Sequence, residues 1–209
     1  MTCHAYLFET VSIQSYILDS GKLKELVGAS ELLEALTGEV LDNVLRELNL
    51  EESGEIGETG DEGLIFSRRA GGAVYAFATS PAPLEQFQAL WTLTVRQIAP
   101  GLGFMQGWGA GQTEGEAARQ ARQEMDVNRN SPVWDPPQPG PLAAYNPRNG
   151  KPASQFLKQE NRPIDPATAM RRWKQFREGR NLLQKFGDYD SKAWPTVLDP
   201  HGEDVDPET

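Results

Sequence analysis

Two adjacent glycines, Gly71 and Gly72, separate the apolar run Leu64-Ile65-Phe66 from Val74-Tyr75-Ala76-Phe77. Gly-Gly supplies the positive φ angles of a two-residue type I′ turn, so this stretch predicts an antiparallel hairpin. The hairpin constrains the rest of the chain, because its strands need further strands or helices to cover them. Upstream, Ala5 to Val11 mixes aromatic, branched and apolar residues and predicts a first, buried strand.

A helical region follows this strand. Ile13, Ile17, Leu23, Leu26 and Val27 fit one apolar face, and a second set runs through Leu32, Leu33, Leu36, Val40, Leu41, Val44, Leu45 and Leu48. Gly28-Ala29-Ser30 predicts a break between two helices, with Ser30 as the cap of the second. Glu51 to Gly63 is Gly-rich and acidic, a solvated loop. After the hairpin, Pro83 to Gln97 predicts a helix, Leu102 to Trp108 a strand, and Glu114 to Met125 a short helix.

Strand, helix, strand, strand, helix, strand is the ferredoxin-like βαββαβ order, an α+β fold whose antiparallel sheet is covered by helices on one face. This domain occupies residues 1–130. Nine of the fifteen prolines then fall between Ser131 and Pro166, predicting an extended appendage or linker over 131–166. Asp165-Pro166 starts a basic amphipathic helix over 167–187, ended by Gly187, and 188–209 is a polar tail.

The single cysteine, Cys3, excludes an internal disulfide and a Cys-based zinc site, and His4 and His201 cannot build one alone. The N-terminus lacks the basic and apolar regions of a secretion signal, and no apolar run approaches the roughly 20 residues needed to span a bilayer. These features predict a cytoplasmic protein with no membrane partner. A net charge of -10 argues against broad polyanion binding. The charge is segregated, however. Eleven acidic residues lie between Glu31 and Glu62 against Arg46 alone, while Arg171, Arg172, Lys174, Arg177, Arg180 and Lys185 oppose only Glu178.

Met170, Trp173 and Phe176 recur every three residues, so this helix is expected to dock through them. Arg171, Arg172, Arg177 and Arg180 would then face outward, solvated or presented to RNA or an acidic protein neighbour. Gln14 and Ser30 lie near predicted helix starts, where backbone N–H groups suit a phosphate, although capping alone accounts for Ser30. Tyr16 reads as a packing residue. No Gly-x-Ser-x-Gly elbow, Gly-Lys-Ser/Thr phosphate loop or His-Glu-x-x-His zinc helix is present.

Three segments together resemble the palm domain of the large subunit of type III CRISPR effector complexes, the polymerase/cyclase family related to GGDEF cyclases. They are Glu9-Thr10-Val11-Ser12-Ile13-Gln14-Ser15-Tyr16-Ile17, Leu23-Lys24-Glu25-Leu26-Val27-Gly28-Ala29-Ser30 and Ala70-Gly71-Gly72-Ala73-Val74-Tyr75-Ala76-Phe77. The first is similar to that family's strand-end carboxylate and following helix start. The third sits where the family carries Gly-Gly-Asp-Asp.

The resemblance implies a nucleotide pocket near Gln14, Ser30, Gly71 and Gly72. It also implies two-metal chemistry, which needs oxygen ligands at the first strand and the hairpin. Here the hairpin offers Ala73 and Val74, which cannot bind a metal, and Glu9 alone holds a carboxylate position. A strand-end carboxylate facing solvent or a lysine is favoured for Glu9 over a metal role. The expectation is therefore a protein with no catalytic residues of its own, a pseudoenzyme of the nucleotidyl cyclase/polymerase palm type that requires no cofactor beyond magnesium carried by a nucleotide.

Its implied role is a partner subunit or nucleotide-sensing module in type III CRISPR-like antiviral defence. Partners would be another palm-containing or CRISPR effector subunit, a second copy of itself, a nucleotide or cyclic oligonucleotide, or RNA. Two alternatives stand beside it. One is an RNA-binding ferredoxin-like module, although no RNP-type pair of aromatics is evident. The other is a residual metal-dependent nucleotidyltransferase that uses Glu9 and is completed by a partner chain.

Overall fold

The computed structural model describes residues 2–19, 21–50, 63–129, 140 and 142–174. The acidic loop from Glu51, most of the proline-dense stretch before Gly140, and Phe176, Arg177, Arg180, Lys185 and Gly187 lie outside the described residues, as does the 188–209 tail.

The chain runs β1 (Cys3–Val11), α1 (Ile13–Leu18), α2 (Leu23–Ala35), a π-helical turn (Leu36–Val40), α3 (Leu41–Glu47), β2 (Ile65–Ala70), β3 (Ala73–Ala78), α4 (Pro81–Ile98), β4 (Gly103–Gly111) and α5 (Glu114–Arg129). Strand order is β2-β3-β1-β4 with every neighbouring pair antiparallel, the split βαβ arrangement expected of the pattern. Gly71 and Gly72 turn the β2–β3 hairpin at φ 62° and 76°. These left-handed angles are the ones a type I′ turn needs and glycine adopts freely.

β1 is apolar on both faces, and the sheet is correspondingly covered on both. Tyr6 and Phe8 pack with Val74, Ala76 and the α4 residues Leu84, Phe87, Trp91 and Val95. Each large side chain buried there contributes about 1.5–3 kcal/mol of transfer free energy. Ala5 and Leu7 instead pack with Tyr75, Phe77 and the α5 residues Ala117, Ala121 and Met125. Helices on one face alone, the sequence expectation, is corrected by α5.

The reason lies in β4, where Gly107, Gly109 and Gly111 alternate along one face. A Cβ at Gly109 would sit 2.0 Å from the Ala117 carbonyl oxygen, and one at Gly107 would sit 2.2 Å from that of Ala121. Only a glycine stripe against an alanine stripe lets α5 lie this close to the strand. β4 is also a sheet edge, and α5 satisfies it. Trp108, Ala110 and Gln112 donate their backbone N–H groups to Glu124, Gln120 and Glu116, spaced four residues apart on the helix.

Two further expectations are corrected. Gly28-Ala29-Ser30 is no break: α2 runs straight through it, and Ser30 is exposed inside the helix rather than capping one. The irregularity falls at Gly38, whose φ of -111° and ψ of -109° interrupt the helix between α2 and α3. Leu23 is 76 % exposed rather than part of the apolar face.

The proline-rich stretch is not simply extended either. Tyr145 bridges Pro152, β5 (Gln155–Leu157) pairs with β6 (Arg162–Ile164), and a helix over residues 166–174, α6, follows. This small unit docks on α1 and α2. Among the described residues no helix is long and apolar enough to cross a membrane.

Candidate functional site

The hairpin turn organises one end of the sheet. Thr10, at the end of β1, donates its N–H to the Gly72 carbonyl at 2.9 Å, which fixes the turn against the strand that carries Glu9. A Cβ at Gly72 would fall 2.2 Å from the Thr10 hydroxyl, whereas one at Gly71 would find only an Arg68 guanidinium nitrogen within 4 Å, at 3.8 Å. Gly72 is thus required by packing. Gly71 leaves the tip open.

On the α4 side of the sheet, this turn opens onto a pocket of about 530 Å³. Its walls are Leu33, Glu34, Thr37 and Gly38 from α2 and the π-helical turn, Ile13 from α1, and Arg69 to Gly72 from the hairpin. The π-helical turn forms one wall, and the backbone departs from helical geometry at Gly38, which lines it. Arg69 is held by Asp42 of α3. Of the residues expected near a nucleotide, Gly71 and Gly72 line this pocket, while Gln14 and Ser30 are exposed and do not. The residues missed from sequence, Leu33, Thr37 and Gly38, carry the helix irregularity as their signal.

Glu9 lies on the opposite face. Its carboxylate accepts a hydrogen bond from the Tyr75 hydroxyl. Burial, and then this bond to Glu9, push the Tyr75 hydroxyl above its ordinary pKa. The guanidinium groups of Arg68 and Arg122 lie 5.7 and 5.8 Å from the centre of the same ring. Among the described residues no three His, Cys, Asp or Glu side chains gather as a metal-binding group. The residues at the positions that the resemblance assigns to metal therefore do not fit a divalent ion: Glu9 is engaged by Tyr75, and Ala73 and Val74 are buried strand residues.

A second concentration of polar groups joins the C-terminal unit to the sheet domain. Glu25 of α2, fully buried, accepts from Arg162 at 3.2 Å and from Arg172 at 2.7 Å. Glu160 accepts from Lys22, Arg162, Arg172 and Lys24, and the Lys22 bond leads these in holding its carboxyl far below the usual range. Asp165 caps α6 by accepting from the Thr168 N–H at 3.1 Å. Burial raises its pKa, but hydrogen bonds from Thr168, Asn146 and Asn149 outweigh that and bring it down to about 2.

The expected orientation of α6 is inverted by this arrangement. Ala167, Thr168, Arg171 and Lys174 face inward, and Trp173 is 49 % exposed. Arg171 lies 4.2 Å above the Tyr16 ring centre and 3.6 Å from Asp19, and its three side-chain nitrogens find no hydrogen-bond partner among the described residues. Arg171 and Arg172 thus point into the chain rather than toward an anionic partner, because Asp19 at the end of α1, Glu25 of α2 and the Tyr16 ring meet them there. Tyr16 is a packing residue, as anticipated.

No family model and no curated protein matches the sequence. Among solved structures, the chain is similar to one described as "Crystal structure of Csm1-Csm4 cassette in complex with cA4", with a TM-score of 0.43 and 16 % identity. That similarity covers 61 % of this chain and 18 % of the other.

Proposed function

We propose that the chain is a non-catalytic, palm-like module that takes a nucleotide, or one unit of an oligonucleotide, beside the Gly71–Gly72 turn. In this reading it serves as a partner subunit or nucleotide sensor in a type III CRISPR-like antiviral system. The observation that carries it is an open Gly-Gly turn facing a pocket of nucleotide size on a hairpin whose next residues, Ala73 and Val74, are apolar and buried. The segments quoted above that resemble the CRISPR polymerase/cyclase palm support the choice of system.

Two-metal nucleotidyl transfer needs carboxylates at both strand ends, and the hairpin supplies none. Binding without turnover is what the remaining groups can do. Base stacking on an open sheet, the usual RNA mode of a ferredoxin-like module, meets an obstacle in α5, which covers part of the second face.

Calorimetry with ATP, a dinucleotide and cyclic tetra-adenylate tests the proposal. The wild-type chain should bind at least one of them, and Thr37→Phe, which fills the pocket wall, should abolish that binding while leaving the melting transition in place. Absence of binding by all three would sink the nucleotide reading.

A further inference from the structure

Arg68 reaches Tyr75 because of a register change. Phe66 pairs with Ala76 and Arg68 with Tyr75, so Ser67 is an extra residue in β2. Strict alternation would send Arg68 to the same face as Phe66, toward α4. The bulge turns it to the α5 face, and turns Arg69 to the pocket side. Re-aiming a side chain next to a site is a recurrent use of bulges.

Arg122 approaches the same ring from α5. Both residues are exposed, and among the described residues neither is in an ion pair or a hydrogen bond. Two guanidinium groups brought to one ring repel each other, and a chain of net charge -10 has carboxylates to spare for them. The nearest carboxylate in the sheet, Glu9, is committed to the Tyr75 hydroxyl instead. Among the described residues both guanidinium groups therefore keep N–H donors open to an anion, and guanidinium is well suited to phosphate.

The pair is also continuous with the pocket. Arg68 is the residue beside Gly71, and Gly71 forms the pocket rim, with no side chain between them. A ligand whose base enters the pocket can carry its phosphates over the open turn to the arginines.

We infer that Arg68 and Arg122 bind the phosphates of the nucleotide proposed above, replacing metal ions with guanidinium hydrogen bonds. This rests on the nucleotide reading of the pocket and specifies its ligand as a nucleoside polyphosphate or oligonucleotide bound without a divalent cation. Glu9 then acts as a nearby negative charge that weakens phosphate binding, the reverse of a metal ligand's effect.

The experiment is calorimetry in EDTA with adenosine, ATP and inorganic tripolyphosphate, on the wild type and on Arg68→Gln, Arg122→Gln and Glu9→Gln. Each arginine change should weaken ATP and tripolyphosphate about tenfold or more while leaving adenosine unaffected, as expected for loss of a charge-assisted contact. Glu9→Gln should tighten ATP, and magnesium should not be needed. Unchanged ATP and tripolyphosphate affinity in both arginine variants overturns the inference and leaves the pocket reading intact. ATP binding that is abolished by EDTA or by Glu9→Gln also overturns it, in favour of a metal.

Tripolyphosphate bound by the wild type and lost in Arg68→Gln, with no binding of adenosine, upholds the arginine site and removes the nucleotide from the pocket. Failure of the wild type to bind either ATP or tripolyphosphate overturns the arginine site, and the pocket reading then stands or falls on the dinucleotide and cyclic tetra-adenylate. Since both arginines are exposed, unchanged melting curves verify that the variants are folded.

Discussion

Gly28 of α2 lies directly beneath the backbone of Arg171: a Cβ at Gly28 would sit 1.9 Å from the Arg171 carbonyl oxygen. The two helices touch main chain to main chain at this point, and that closeness is what brings Arg171 over Tyr16 and Arg172 to Glu25.

Gly28→Ala should therefore separate α6 from α2. The contact is with backbone, so no side-chain rotation relieves it, and overpacking of this kind costs about 1–3 kcal/mol. Chemical denaturation should report that loss, and hydrogen exchange should show it concentrated in residues 142–174. Unchanged protection there would mean that the helices shift apart without undocking.

Glu25→Ala should be as severe or worse, since it strands Arg162 and Arg172 at a buried interface. Removing one partner of a buried ion pair typically costs about 3–5 kcal/mol. A double-mutant cycle with Arg172→Ala should show strong coupling, because the second change removes a charge that the first leaves uncompensated. Additive effects would place Arg172's stabilising contact elsewhere, with Glu160.

Acid should release the C-terminal unit. Asp165 and Glu160 both have folded pKa values below their ordinary ones, so they bind protons less readily in the docked state than when unfolded. Their contribution is full above the unfolded carboxylate range, about pH 4, and disappears as pH falls through the folded values, about 2 for Asp165. The fluorescence of half-exposed Trp173 and exchange of 142–174 should change between pH 4 and pH 2. Asp165→Asn should blunt the transition.

Purified protein should form no cyclic or linear oligonucleotide from ATP or GTP with magnesium or manganese. Product chromatography checks this. Products that vanish with Glu9→Ala would instead establish the residual nucleotidyltransferase.

The sheet order was legible because its determinants are local: Gly71-Gly72 dictates a turn, and the alternation of strand and helix leaves few ways to pair four strands. The pocket was legible in part. Gly71 and Gly72 point to it, but Leu33 and Thr37 reach it only because the helix is disrupted at Gly38, and a glycine inside an apolar periodicity does not say which glycine will yield. Gly28 looked like the break and is a packing contact.

Charge pairing was not legible at all. Glu25 meets Arg162 and Arg172 across 137 and 147 residues of sequence, and no periodicity reports such a partnership. A basic helix face reads as solvated until the acidic face that meets it is known.

The glycine stripe of β4 has a kinetic consequence. α5 begins within a few residues of the strand that it covers, so the contacts of Ala117 and Ala121 with Gly109 and Gly107 close only short loops. Contacts local in sequence form early in folding, before distant strands are paired. β4 can therefore acquire its helical cover while still awaiting β1, with one row of its backbone N–H groups already occupied by Glu116, Gln120 and Glu124. One edge of β4 is thereby closed to neighbouring chains during the interval when aggregation competes with folding.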